Sequence, residues 1–457
     1  MVSLTIGFVR DLYENLMAAA PSARSPAPPL THAEWGLLLV LVAVQFTHMV
    51  DFVIIMPLGA RLQRELDIGP QEFGWVVAAY AWAAGVASLL AGFAMDRFDR
   101  RPALLALYGG FAVSTLLCGL AANYEQLLIA RTLAGVFGGL AAVSLMAVVG
   151  DVFPPEKRGR AMGAVVSSFA AASVIGLPIG LTLAEFFGRG APFLALAAVS
   201  AAVWVLGWVR LPSVREHLAA PRRHPVTEFA AVARVPNHLW GFAFTFFLVL
   251  GTFTVASFMA PVYSAANGWQ EGTLAMVYFV AGACTFVGTN LIGRLADRFP
   301  RLILFRVLGA AALVLAVVAG YLSVMSFWGG AAIVSGFMVA AAGRMVPAQA
   351  MLLGASVPAV RGAFMSLNTA VQHLATGLAP TIAGYLLTRR PDGVLEGFPM
   401  VGWVSAGTAA VSLVLAGRLK PAPGQQMAAP EPVESTGAAE RDLPTAGQRP
   451  AAVVAEG

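Results

Sequence analysis

Twelve mostly apolar stretches follow one another along the chain. They lie at approximately 35–58, 73–94, 102–122, 126–150, 161–186 and 191–211, then 238–263, 270–292, 302–322, 326–346, 362–387 and 397–417. Most exceed the roughly 20 residues that a helix needs to cross about 30 Å of hydrocarbon. The continuous polar–apolar alternation of an outer-membrane barrel is absent from them. Only 12% of residues are charged, against about 25% in a soluble domain. The expected fold is therefore an all-α membrane protein with twelve transmembrane helices and the lipid bilayer as part of its solvent. The two cysteines, Cys118 and Cys284, each sit inside an apolar stretch, which leaves no disulfide framework and no paired-cysteine metal site. No metal, cofactor or nucleic-acid partner is expected.

A charged hinge divides the stretches into two sets. Ala91 to Leu105 packs five ionisable residues into six positions. It recurs in weaker form as Gly293 to Arg301, and in each copy a glycine is followed four residues on by Asp-Arg-Phe. The copies are 201 residues apart. A second pair, Arg158-Gly159-Arg-Ala-Met162 and Arg361-Gly362-Ala-Phe-Met365, is offset by 203. Two parallel, pseudo-symmetric six-helix bundles are the simplest reading, with a binding site at their interface near the bilayer midplane. The domain expectation is a leader over 1–34, a first bundle over 35–211, a central loop over 212–237, a second bundle over 238–417 and a tail over 418–457. Ile6 to Met17 reads as a short amphipathic surface helix or a mobile leader. Pro21 to Pro29 is rich in helix breakers, and no cleavable signal is evident ahead of Trp35. The tail is rich in Pro, Ala, Gly and Glu without periodicity and reads as disordered.

Lys and Arg set the orientation. With the amino terminus inside, 23 of them fall on the inner side, Arg344 included. Five fall outside (Arg61, Arg64, Arg189, Arg389 and Arg390), and Arg131 remains within a span. This bias places both termini in the cytoplasm and the number of spans at an even value; the membrane is expected to be the inner one.

Asp51 is the most informative residue. It lies within the first span, roughly 24 Å along it at 1.5 Å per residue, and so in the outer half. A carboxyl group there is costly and faces protein or a water cavity. Arg131 enters the fourth span from the outer side, so the two could pair. One reading is a proton site whose affinity changes when the arginine moves or substrate enters. The other is a permanent structural ion pair. Gln45, His48 and Asp51 recur every three residues and share one broad face. In the eleventh span Asn368, Gln372 and Thr376 recur every four, with His373 beside them. These are candidate cavity residues. The histidines serve equally well as interhelical hydrogen-bonding groups, and a metal site from His48, Asp51 and His373 would need all three to converge. Gly135, Gly138 and Gly139 follow Arg131, while Gly176, Pro178 and Gly180 mark the fifth span. They suit close helix packing and bending. Spans three, six, nine and twelve carry ionisable groups only near their ends, so every third helix is expected to face lipid.

These features resemble the major facilitator superfamily over approximately residues 35–417, in its twelve-span drug-and-metabolite efflux branch of arabinose-efflux-permease type. The family's loop motif, Gly-x-x-x-Asp-Arg-x-Gly-Arg-Arg, is matched by Gly92, Asp96, Arg97, Arg100 and Arg101, with Asp99 in place of its second Gly. Gly293, Asp297 and Arg298 form the second copy, where Pro300 takes that place. The resemblance implies a gate in which Asp96 meets the start of the eleventh helix near Gly362 and holds the cytoplasmic side shut. It implies a role in proton transfer for Arg131 with Gly135. Gly176-Leu-Pro178-Ile-Gly180 departs from the antiporter motif and is similar to the efflux-permease variant. The implied protein is a monomeric secondary transporter and not an enzyme, exchanging protons for a small organic molecule that it exports. A facilitator or symporter importing a metabolite, and a sensor without flux, stay open as alternatives.

Overall fold

The computed structural model describes residues 30–94, 98–213, 215, 225–322 and 324–422. The hinge residues Asp96 and Arg97, the Ile6 to Met17 stretch and most of the tail fall outside them. The described chain is helical. Its long helices are α1 (His32–Ile54), α3 (Pro70–Ala94), α4 (Arg100–Leu120), α5 (Tyr124–Val152), α6 (Pro155–Ala171) running on into α7 (Leu177–Phe187), and α8 (Ala191–Arg210). The second set is α10 (Pro236–Asn267), α11 (Glu271–Ala296), α12 (Arg301–Tyr321), α13 (Phe327–Ala355), α14 (Arg361–Leu386) and α15 (Phe398–Ala416). Short helices α2 (Gly59–Glu65) and α9 (Pro225–Ala233) lie between them, and β1 (Thr388–Arg389) pairs antiparallel with β2 (Leu395–Glu396).

Eleven of these elements are long and apolar enough to cross a membrane. The twelfth, α14, is 26 residues long but more polar, because it carries Asn368, Thr369, Gln372, His373, Thr376 and Thr381 within the protein rather than against lipid. It completes the twelve-helix arrangement.

The two sets pack alike. In the first, α4 lies on α5 and α8, and α1 on α6 and α8; in the second, α12 lies on α13 and α15, and α10 on α14 and α15. The lobes meet where α3 crosses α14 and where the α6–α7 element crosses α11. The third helix of each triplet packs within its own lobe and turns large apolar side chains outward, such as Val113 on α4, Val209 on α8, Val307 on α12 and Val414 on α15.

Local chemistry explains the breaks. Thr31 opens α1 with a reciprocal capping box: its hydroxyl accepts from the Glu34 amide at 3.2 Å and its own amide donates to the Glu34 carboxylate at 2.7 Å. Asn123 caps α5 by accepting from Gln126 at 3.0 Å. Between α6 and α7 the residues Ala172–Gly176 form a wide π turn, directly before Pro178. Proline has no N–H and its ring crowds the carbonyl four residues back, and the extra residue in the turn makes room for it.

The structure corrects three expectations. The first apolar stretch runs to 58, but its helix stops at Ile54, turns, and restarts as α2. The tenth stretch ends at 346 by hydropathy, yet α13 continues through Pro347 to Ala355. Arg344, counted above with the inner-side charge, is consequently inside the protein.

Candidate functional site

The acid and the arginine of the first lobe are both enclosed, at 0% exposure. Arg131 Nη1 lies 2.9 Å from Asp51 Oδ2 and also donates to the Asp51 backbone carbonyl at 3.2 Å. Thr115 on α4 donates to Asp51 Oδ1 at 3.4 Å. The guanidinium carbon sits 4.4 Å from the centre of the Tyr80 ring on α3, an arrangement in which the ring face attracts the cation. Arg131 Nε and Nη2 have no partner, nor has the Tyr80 hydroxyl. One arginine N–H group therefore carries the ion pair while others stay available.

The glycines expected to pack are what bring these parts together. A Cβ at Gly135 would strike the Tyr80 backbone, with its Cα at 2.9 Å, and one at Gly139 would lie 2.8 Å from Ala84 Cα. Only glycines let α5 approach α3 this closely. At Gly138 the added carbon would meet the Tyr80 hydroxyl at 2.7 Å and the His48 ring at 2.9 Å. Gly176 and Gly180 play the same part for α7 against Val50 and Ile54 of α1.

His48 is buried between Tyr80 and Phe111, with ring centroids at 6.1 and 5.8 Å, and neither ring nitrogen has a partner. Gln45, one turn along α1, is half-buried. In the second lobe Asn368 is fully buried and accepts from Thr245 Oγ1 at 2.6 Å, while its Nδ2 is unpartnered. Gln372 and His373 are half-buried. His373 packs on Gly85 across the lobe boundary. Among the described residues no three metal-ligating side chains gather in one place.

Gly92 belongs to the last turn of α3. Arg101 donates from Nη2 to the Trp208 carbonyl at 2.6 Å and lies over that ring, so it holds α8 of its own lobe. Asp297 and Arg298 are exposed beyond α11, and a Cβ at Gly293 or at Gly362 would meet nothing. Sequence reasoning missed the part played by Asp99. It caps α4 through the Arg101 amide at 3.1 Å and binds Ser213 and Arg215 at 2.6 and 2.8 Å, tying the hinge to the exit of α8. An Asp directly ahead of a helix with Pro102 in its first turn was the available signal. Sequence reasoning also missed Arg344, whose side chain reaches from α13 to α10.

At the face opposite the amino terminus the lobes close on one another. Arg64 and Arg61 on α2 lie 3.5 and 3.8 Å from Glu271 on α11. Arg64 and Glu271 border a cleft of about 440 Å³ that Gln63, Arg389 and Asp392 also line. A Cβ at Gly74 would meet the Pro380 carbonyl at 2.6 Å and one at Gly384 the Pro70 carbonyl at 2.7 Å.

Residues 41–343 match the family model described as Major Facilitator Superfamily. The chain belongs to the major facilitator superfamily. The chain is 26% identical over 372 residues to an uncharacterized MFS-type transporter, YceJ, of Bacillus subtilis, covering 80% of this chain and 93% of that one. It is 29% identical over 197 residues to the tetracenomycin C resistance and export protein of Streptomyces glaucescens, covering 43% and 37%. The crystal structure of a D-xylose-proton symporter superposes with a TM-score of 0.70 at 14% identity, over 86% of this chain and 99% of that one. The chain is a membrane-spanning transporter of this superfamily.

Proposed function

We propose that this protein is a secondary active transporter, a monomeric proton-coupled antiporter that exports small organic molecules by alternating access. Its amino-terminal face is cytoplasmic and its membrane the inner one. The observation that carries the reading is the enclosed Asp51–Arg131 pair at 2.9 Å. An ionisable pair at this depth is expensive, and the arginine keeps N–H groups unused beside it. A proton arriving on Asp51 cancels the charge that holds the guanidinium. Arg131 then keeps the Asp51 carbonyl and the Tyr80 ring as partners and is released to take another acceptor. That exchange links proton occupancy to the packing of α1, α3 and α5, and through α3 to the lobe boundary at α14.

The shape fits one end of such a cycle. The lobes close together at the opposite face: a Cβ at Gly74 would meet the Pro380 carbonyl there and one at Gly384 the Pro70 carbonyl. Gly92, Asp96, Arg97 and Arg101, with Gly293, Asp297 and Arg298, are assigned to the gate that closes the amino-terminal face in the other state. Export rather than import is favoured by the relative named for resistance and export.

The test uses inverted vesicles carrying the protein and an imposed pH gradient, read by a pH-sensitive dye. Compounds picked from a toxicity screen of deletion and overexpressing cells are added. They should discharge the gradient through the native protein and not through Asp51→Asn at equal membrane abundance. Undiminished discharge by Asp51→Asn refutes the assignment.

A further inference from the structure

Among the described residues two arginines are fully enclosed, Arg131 in the first lobe and Arg344 in the second. Their surroundings correspond through the internal repeat. Phe52 on α1 and Phe253 on α10 touch, with ring centroids 5.8 Å apart, and they are 201 residues apart, the same step as the two hinge copies. That step carries Asp51 to Thr252. Thr252 is the residue Arg344 reaches: Nη2 donates to its Oγ1 at 2.7 Å and to the Leu248 carbonyl at 3.3 Å. Each lobe thus sends a buried arginine to the same place on its first helix. In the first lobe a carboxylate meets it. In the second a hydroxyl does, and among the described residues no acid lies within ion-pair distance.

Arg344 is consequently a cation without a counterion among the described residues, 1% exposed, with Nε and Nη1 unpartnered. A guanidinium cannot shed its proton to relieve this, and an uncompensated buried charge is costly. Asn368 adds a third unpartnered donor, Nδ2, and its oxygen is held by Thr245. Thr245, Leu248 and Thr252 recur at spacings of three and four and share one face of α10. Arg344 and Asn368 therefore both carry unpartnered donors on side chains anchored along that face. Phe246, Val249, Phe253 and Met345, each one position on from Thr245, Leu248, Thr252 or Arg344, belong to one apolar cluster beside it.

We propose that Arg344 is the docking point for the anionic end of the transported molecule, a monocarboxylate with an apolar or aromatic body. This rests on the transport reading above and names its substrate class. The substrate carboxylate does in the second lobe what Asp51 does in the first. One arginine neutralises one charge, which favours a monoanion over a phosphate dianion, and the aromatic and aliphatic walls suit an apolar body. Thr252 holds the guanidinium in line, and Asn368, anchored at Thr245 about 10 Å further along α10, offers its free Nδ2 to the body of the molecule.

The experiment measures thermal unfolding of the full-length protein purified in detergent, at neutral pH. The probes are benzoate and octanoate, each against its neutral amide. At least one carboxylate is expected to raise the unfolding midpoint beyond its amide, since a ligand that binds only the folded state stabilises it. Arg344→Gln should weaken the apparent affinity by about tenfold or more, the loss expected for a charge-assisted contact, and Arg344→Lys should keep part of it. Thr252→Asp supplies Arg344 with a resident carboxylate. It should unfold no earlier than the native protein and lose the carboxylate response. The proposal is overturned if neither carboxylate outperforms its amide, or if the response survives in Arg344→Gln or Thr252→Asp. Should Arg344→Gln fail to fold, Thr252→Asp decides. Binding in detergent needs no gradient, so failure here is distinct from failure of the proton-exchange reading, which rests on Asp51→Asn in vesicles.

Discussion

Removing one member of the enclosed pair is expected to cost more from one side than from the other. Arg131→Gln strips the counterion from a carboxylate at 0% exposure and leaves it only the Thr115 hydroxyl, at 3.4 Å. Breaking a buried pair in this way costs about 3–5 kcal/mol as long as the carboxylate stays charged, so the comparison is made at alkaline pH. Asp51→Asn is milder. An amide oxygen in the same place still accepts from Nη1, the backbone carbonyl remains at 3.2 Å, and the Tyr80 ring stays 4.4 Å beneath the cation. That ring contact is worth about 0.5–2 kcal/mol, so the loss should be about 1–2 kcal/mol, the margin of a charged over a neutral hydrogen bond. The double variant removes both charges and strands neither. Its loss should fall short of the sum of the single losses by about 1–3 kcal/mol, the coupling of groups in direct contact. The assay is unfolding in mixed micelles by titration with a denaturing detergent, followed by tryptophan fluorescence. Additive losses, or a smaller loss for Arg131→Gln than for Asp51→Asn, would refute the reasoning.

Other outcomes are also expected. Gly135→Ala drives a methyl group into the Tyr80 backbone and should cost about 1–3 kcal/mol, whereas Gly150→Ala meets nothing within 4 Å and should be neutral or gain about 0.5–1 kcal/mol; thermal midpoints of the two separate packing from propensity. Gly384→Leu places bulk against the Pro70 carbonyl and should wedge α14 off α3. A cysteine introduced at Ala81, buried on that boundary, should then react faster with a membrane-impermeant maleimide, and an unchanged rate would mean that the lobes do not part there.

Much of the architecture is legible in the sequence because lipid imposes a coarse rule. Apolar length alone announces a span, and the doubled Gly-x-x-x-Asp-Arg-Phe announces the repeat. Asp51 stands out because a carboxyl group inside such a stretch has few places to go. What stays hidden follows from the same rule. Arg344 interrupts the hydropathy of α13, so the apolar stretch ends near it, although the helix runs on to Ala355. The polar residues of α14 pull its average hydropathy down because they face protein. The restart of the chain at Gly59 answers to packing against Phe73 of α3 and Pro261 of α10, which no local pattern encodes. Asp99 stands where the family motif has a glycine, and its use as a tie is visible only once Ser213 and Arg215 are folded beside it.

The meeting of Phe52 with Phe253 has a mechanical consequence. Ring-on-ring contact has no donor or acceptor to satisfy and changes little in energy as the rings tilt or slip. A hydrogen bond at that spot would act as a detent, favouring one angle between the halves. In the alternating access proposed above, two greasy discs, supplied one from each repeat, would act as a bearing, so the resistance to rocking would come from the rims of the molecule and not from its pivot.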